Sequence, residues 1–192
     1  MVFLLISCPS CRSCKGGCHW YRKDVTMALR DALLPEFDHE MATTRRLLER
    51  VPDGEFEWKP HEKSMTLGRL AAHIANIPYW CSVTLETTVF ELDSLPSDDQ
   101  RQLPGSQLAV VQEFDAKVRT ARGLLAAAID AELLMPWTLR KGGQEMFTMP
   151  RISALRSFVM NHIIHHRGQL SVYLRLKNVP LPSIYGPTAD EQ

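Results

Sequence analysis

The sequence predicts an all-α fold, a four-helix bundle with one long crossover connection. Three features of the chain lead there. Four stretches of roughly 22 residues place apolar side chains at helical spacing, which at about 1.5 Å per residue makes rods of ~33 Å. The linkers between them are rich in Pro, Gly and charge. One linker, DSLPSDDQRQLPG, is polar and long enough to cross between non-adjacent helix ends.

The first helix runs from Leu29 to Val51, with Leu33, Leu34, Phe37, Met41, Leu47, Leu48 and Val51 on its apolar stripe. Arg30, Asp31, Glu36, Arg45, Arg46 and Glu49 fill the other face, and Pro52 ends it. The stretch PDGEFEWKPHEKS reads as a loop. The second helix starts near Ser64 or Thr66, either able to cap it, and buries Leu67, Leu70, Ala71, Ile74, Ile77 and Cys81. Pro78 should kink or break it. A third helix spans about Ser106 to Ile129, with Leu108, Val111, Phe114, Val118, Ala121, Leu125 and Ala128 as its stripe. In LLMPWTLRKGGQEMFTMPR, a Gly-Gly pair between short apolar runs suggests a hairpin-like excursion. The fourth helix begins after Pro150 and continues to about Lys177. Its positions Leu155, Val159, His162, His166, Gln169 and Tyr173 step as an a/d seam facing the interior. The Pro-rich tail from Val179 is non-helical.

A chain of 192 residues that is 45% hydrophobic suits one globular domain. The formal net charge is zero, so nothing points to nucleic acid, which needs a basic face. No apolar run approaches the roughly 18 residues of a transmembrane helix. VFLLI is too short for a signal-peptide core, and only seven residues precede Cys8, too few for a lipoprotein signal. A cytoplasmic location is expected.

Composition changes near Met27. Residues 1–26 read as a Cys-rich extension, disordered or not native, with translation beginning at Met27 as one explanation; residues 27–192 read as the helical domain. Cys8, Cys11, Cys14 and Cys18 have the spacing C-x2-C-x2-C-x3-C, similar to a ferredoxin run, but no second copy or Cys-Pro follows. A zinc site on these cysteines and His19 is the other reading. A disulfide framework does not fit a cytosolic chain.

His162 and His166, four apart on one helix, lie one above the other on the same face, so their ring nitrogens can converge. Metal ligation is one reason to place two imidazoles on a seam; hydrogen bonding to backbone or water is the other. His165 points about 100° aside. His73, beside the stripe of the second helix with small Ala71 and Ala72 next to it, is a third candidate, although a lone histidine there is commonly structural. His19, His39 and His61 are weaker candidates by position.

The segments HIIHHRGQLSVYLRLKNVPLPSIYGPTADE and SMTLGRLAAHIAN, with RLLERVPDGEFEWKPHEKS as a weaker third piece, resemble the DinB superfamily (DinB/YfiT-like metalloenzymes) over roughly residues 28–192. The resemblance implies a four-helix bundle holding a divalent metal, zinc or nickel, through His73, His162 and His166. It implies relatives that are bacillithiol- or mycothiol-using S-transferases, a thiol-dependent maleylpyruvate isomerase, or stress-induced proteins without known reaction. A homodimer is also implied.

Three neutral ligands would leave a vacant coordination position, the arrangement of a catalytic site. Such a site acidifies a water towards pKa ~7, or holds a low-molecular-weight thiol as thiolate. Glu40, at the edge of the first stripe, is the candidate base, against the blander reading of a solvated glutamate. Gln169 is a candidate to orient a ligand. Tyr173 reads as core, and Arg167 as a salt-bridge partner. The function expected is therefore a metal-dependent thiol S-transferase or hydrolase acting on a small electrophile. The rival is a non-catalytic, stress-induced bundle that binds metal or ligand, and a carrier built on the N-terminal cysteines is the third reading.

Overall fold

The computed structural model describes residues 27–96 and 102–191. The expectations for Cys8, Cys11, Cys14, Cys18, His19 and the N-terminal extension lie outside the described residues.

Helix α1 (Leu29–Leu48) buries Leu33, Phe37, Met41, Leu47 and Leu48, as its stripe predicts. It ends a few residues before Pro52. The predicted second helix is two. Thr66 caps α2 (Leu67–Asn76) by accepting from the Arg69 amide at 3.2 Å. Pro78 starts α3 (Tyr79–Glu86). Proline suits a first helical turn, where no amide donor is required, and disrupts an interior. Helix α4 (Gln107–Ala127) begins at a Ser106 cap, whose hydroxyl accepts from the Ala109 amide at 3.2 Å. Leu108, which the spacing assigns to its buried stripe, is exposed.

Helix α1 packs on α4 and on the last helix, α7 (His162–Leu176), and α2 also packs on α4 and α7, so these four helices touch in a closed ring. No helix among the described residues is long and apolar enough to cross a membrane.

The fold is predominantly helical, not purely so. A short helix α5 (Asp130–Leu133) precedes a three-stranded sheet: β1 (Val89–Glu91) lies parallel to β2 (Pro136–Lys141), which pairs antiparallel with β3 (Gln144–Pro150). The Gly-Gly signal is the hairpin turn, with φ of 60° at Gly142 and 73° at Gly143. A two-residue turn with both φ positive matches strand twist and favours glycine twice. The carboxylates of Asp93 and Glu91 accept the amides of Gly142 and Gly143 at 2.9 and 3.1 Å. Strand β1 has no signature of its own in the sequence, because its three residues pair with a segment far along the chain, Val89 opposite Thr138.

The sheet carries its own small core of Val83, Trp137, Leu139 and Ala154, with Phe147 and Phe158 packed against it. The Phe147 and Phe158 rings stack at 5.2 Å between centroids. Phe158 belongs to the last helical region, so the sheet braces that region from one side.

This region is not one uniform helix. Helix α6 (Arg151–Leu155) passes into a π-helical turn (Arg156–Asn161) and then α7 (His162–Leu176). Hydrogen bonds from i to i+5 hold more residues per turn, so the facing row steps later than a 3.6-residue period predicts. The buried row runs Leu155, Val159, Ile163, Arg167, Leu170 and Leu174. The predicted seam through Gln169 and Tyr173 is therefore off by about one residue, with Gln169 exposed and Tyr173 half-buried.

Gly68 sets how closely the loop after α1 approaches α2. A Cβ there would meet Phe56 Cδ2 at 2.8 Å and Cγ at 2.9 Å, while the Gly68 amide donates to the Phe56 carbonyl at 2.9 Å. Gly68→Ala is expected to cost about 1–3 kcal/mol through forced overpacking, read as a lower urea midpoint at unchanged m.

Candidate metal centre

Helices α2 and α7 pack side by side, and three imidazoles meet at their contact. Within α7 the i, i+4 spacing stacks His162 and His166, with ring centroids 4.7 Å apart. His73 enters from α2, edge-on to both, with centroids at 5.1 and 4.4 Å. The small residue Ala72 and buried Ala71 beside it leave room for that ring.

The ring nitrogens converge. His73 Nε2 lies 3.3 Å from His162 Nε2, and His166 Nε2 lies 2.9 Å from the same atom. One ligand atom from each residue lies within 4.8 Å of the others, so the cluster could hold a metal ion. Nitrogens each ~2.0–2.1 Å from one zinc in tetrahedral geometry stand about 3.4 Å apart, against 3.3 and 2.9 Å for the two pairs that share His162.

The outward nitrogens fix the tautomers. His162 Nδ1 faces the Phe158 carbonyl at 3.3 Å, and His166 Nδ1 faces Gln169 Oε1 at 2.7 Å. Both partners are carbonyl oxygens, which only accept, so each Nδ1 carries the proton. In neutral imidazole the other nitrogen then bears a lone pair. Two lone pairs thus face each other across 2.9 Å. Such a pair repels unless a proton or a cation lies between, and burial works against the proton. Desolvation, then the neighbouring His166, pushes the pKa of His162 down from 6.5; desolvation does the same to His166, partly offset by Gln169. The residues therefore fit a cation.

The lowered pKa values of His162 and His166 set a pH window for metal binding. Groups with lowered pKa stay neutral through the ordinary histidine range, and protons displace a metal only below it. The stability they lend is full above pH 6.5 and lost as pH falls through their lowered values. Metal release on acid titration is expected to have its midpoint below pH 6.5, checked by a chromophoric chelator.

Gln169 spans two histidines. Its Oε1 accepts from His166 while its Nε2 faces Nε2 of exposed His165 at 3.2 Å. It acts on His166 as a positioning residue. Removing such an outer partner costs about 10–100-fold in metal affinity. Gln169→Ala is expected to weaken binding by that much, and Gln169→Glu, which keeps an acceptor, to retain it, both read by competition titration.

Glu40 is not solvated. It is buried on α1 in an ion pair with Arg167 at 2.6 Å, their side chains 6% and 2% exposed. The Tyr185 hydroxyl lies 2.9 Å from both Glu40 oxygens and 2.6 Å from Arg167. Arg167 also donates to the Glu40 carbonyl at 3.2 Å and the Thr44 hydroxyl at 3.3 Å. The salt bridge read for Arg167 is present; the parts of Tyr185 and Thr44 in it have no signal in the sequence.

His61 and His39 lie apart from the cluster's contacts. His61 Nδ1 accepts the Lys63 amide in its own turn, and His39 stacks on Tyr185. The Tyr173 hydroxyl donates to the Met65 carbonyl at 3.4 Å. Cys81 is buried, and desolvation, with Glu86 adding to it, raises its thiol to about 12, so it is inert.

His73 is also in the wall of a pocket of about 310 Å³, with Arg69, Ala72 and Asn76 from the same helix, Met65 before it, Pro96, Gln102, Leu103 and Pro104 from the connection, and Glu113 from α4. The centre thus has a neighbouring space of small-molecule size.

Known proteins resemble this chain in sequence and in fold. The sequence is 26% identical over 162 residues to the uncharacterized protein YrdA of Bacillus subtilis, covering 84% of this chain and 90% of that protein. A crystal structure of a DinB-like protein from Bacillus cereus superposes with a TM-score of 0.62 at 24% identity, over 82% of this chain and 98% of the other. The DinB-like protein YjoA from Bacillus subtilis superposes with a TM-score of 0.61 at 19% identity, over 82% and 99%. These two likenesses speak to fold. The family model for DinB matches residues 25–192, and by that span, which holds all three clustered histidines, the chain belongs to the DinB family.

Proposed function

We propose that this protein is a metal-dependent enzyme in which His73, His162 and His166 hold one divalent cation, zinc or nickel. Its reaction is thiol S-transfer to, or hydrolysis of, a small electrophile. The ring of α1, α2, α4 and α7 is read as a four-helix bundle that presents these ligands from two adjacent helices. One observation supports the reading: the Nε2 atoms of His73 and His166 both stand close to Nε2 of His162, with one possible ligand atom from each residue within 4.8 Å of the others.

Bound there, the cation supplies Lewis acidity and lowers the pKa of a thiol or water. The chain's own residues do the rest. The Phe158 carbonyl and Gln169 hold two rings in the ligating tautomer. The His73 ring joins the centre to the pocket. We assign Glu40 to holding Arg167 behind α7, since both its oxygens are engaged there; the role of base falls to a group on the substrate or to solvent.

The pocket favours an enzyme over a bundle that only stores metal, because a storage site has no use for substrate space beside a ligand. Elemental analysis of purified protein, then a screen of thiols against small electrophiles, tests this. Turnover that needs the metal and disappears with His162→Ala supports it. An occupied site with no turnover and no exchange of added thiol makes it the non-catalytic protein.

A further inference from the structure

Gln169 stands four residues after His165 and three after His166 on α7, so on the helix surface it neighbours both. The two rings meet edge-on, with centroids 4.8 Å apart at 73°. The Gln169 carboxamide reaches each of them, with Oε1 2.7 Å from His166 Nδ1 and Nε2 3.2 Å from His165 Nε2. A carboxamide has one accepting end and one donating end, so these two contacts are linked. With Oε1 on His166, that ring carries its proton on Nδ1 and turns the lone pair of Nε2 to His162 at 2.9 Å. The NH2 group then donates to His165, whose Nε2 must accept. Turned over, the carboxamide inverts both contacts. Its NH2 would need a lone pair on His166 Nδ1, and the His166 proton would move to Nε2, the atom that faces the cluster. Gln169 is exposed, so water competes for both of its ends and the His166 contact alone does not fix which way it lies. The second contact breaks the tie.

We propose that His165 is a positioning residue for the metal centre. By accepting the Gln169 N–H on Nε2, it holds Gln169 Oε1 on His166 Nδ1 and keeps His166 in its ligating tautomer. This rests on the reading of His73, His162 and His166 as metal ligands. His165 is exposed and stands outside that group of three, so it acts on the centre only through Gln169.

The test compares His165→Ala in the full chain with the same change in Gln169→Glu. Alanine favours helix, so the fold is kept. Zinc affinity, read by competition with a chromophoric chelator, is expected to fall about fivefold in His165→Ala, the worth of one hydrogen bond. A carboxylate accepts at both ends, so Gln169→Glu has no wrong way round, and His165→Ala added to it should cost nothing further. The second readout is the 15N spectrum of the His166 ring in metal-free chain at about pH 8, above the ordinary histidine range. The parent should show the Nδ1–H tautomer, and His165→Ala a mixture of the two. Unchanged affinity in His165→Ala overturns the proposal, as does a single Nδ1–H tautomer that persists in that variant. An equal fall in the Gln169→Glu background also overturns it, since the ring would then act by charge or packing and not through the carboxamide. If the parent takes up no zinc, the metal reading fails, and the tautomer spectra still decide whether His165 positions His166. Zinc uptake that His165→Ala leaves untouched removes the positioning role alone.

Discussion

Arg167→Met is expected to destabilise the protein by about 3–5 kcal/mol, because it leaves Glu40 charged and buried without its partner. For a chain of this size that corresponds to a fall in melting temperature of about 6–20 °C. The cause is the asymmetry of buried pairs. Taking both charges out of water is costly, and the pair is held because each offsets the other and each has further partners. Here the partners are Tyr185, Thr44 and the Glu40 carbonyl. Removing both charges together should cost far less than removing one. The double replacement Arg167→Met with Glu40→Leu is expected to recover most of the loss in the same melting experiment. Tyr185→Phe is the milder probe: it removes one hydroxyl, for about 1–3 kcal/mol. If Glu40 were the base of the reaction, Glu40→Gln would lower turnover in protein that melts normally. The arrangement predicts instead that turnover and stability fall together.

His162→Ala is expected to abolish metal binding at the centre while the helices survive. His162 is the hub: its Nε2 is the atom to which both other Nε2 atoms are close, at 3.3 and 2.9 Å. Loss of an outer-sphere partner already costs about 10–100-fold, and loss of a ligand must exceed that. Equilibrium dialysis should show stoichiometry falling by one equivalent per chain, with the helical circular dichroism signal unchanged. The variant should also lose the rise in melting temperature that added metal gives the parent, since ligand bound only to the folded state stabilises it by mass action.

The two helical histidines are legible from spacing, because an i, i+4 pair shares a face whatever the rest of the fold does. His73 is a candidate by its place beside an apolar stripe with small neighbours, but a single histidine there is commonly structural, and the family resemblance is what joins it to the pair. The breaks at Pro78 and Ser106 follow from local chemistry, a missing amide and a capping hydroxyl. What stays hidden is non-local. The π-helical turn at Arg156–Asn161 shifts the facing row of α7, and no residue type in it announces an i to i+5 bond. Its Phe158 ring is held by the sheet, whose first strand pairs far along the chain. The Tyr185 hydroxyl meets Glu40 across 145 positions, from a tail whose composition says only that it is not helical. The sheet corrects the all-α expectation for the same reason: a three-residue strand has too little pattern to be read alone.

Whether three imidazoles share one cation is read by X-ray absorption at the zinc edge of the zinc-loaded full chain. One zinc per chain is expected at this centre, with about three imidazole nitrogens at ~2.0–2.1 Å, and that signal is expected to vanish in His162→Ala. A shell of sulfurs at ~2.3 Å, or an imidazole signal that His162→Ala leaves untouched, would contradict it.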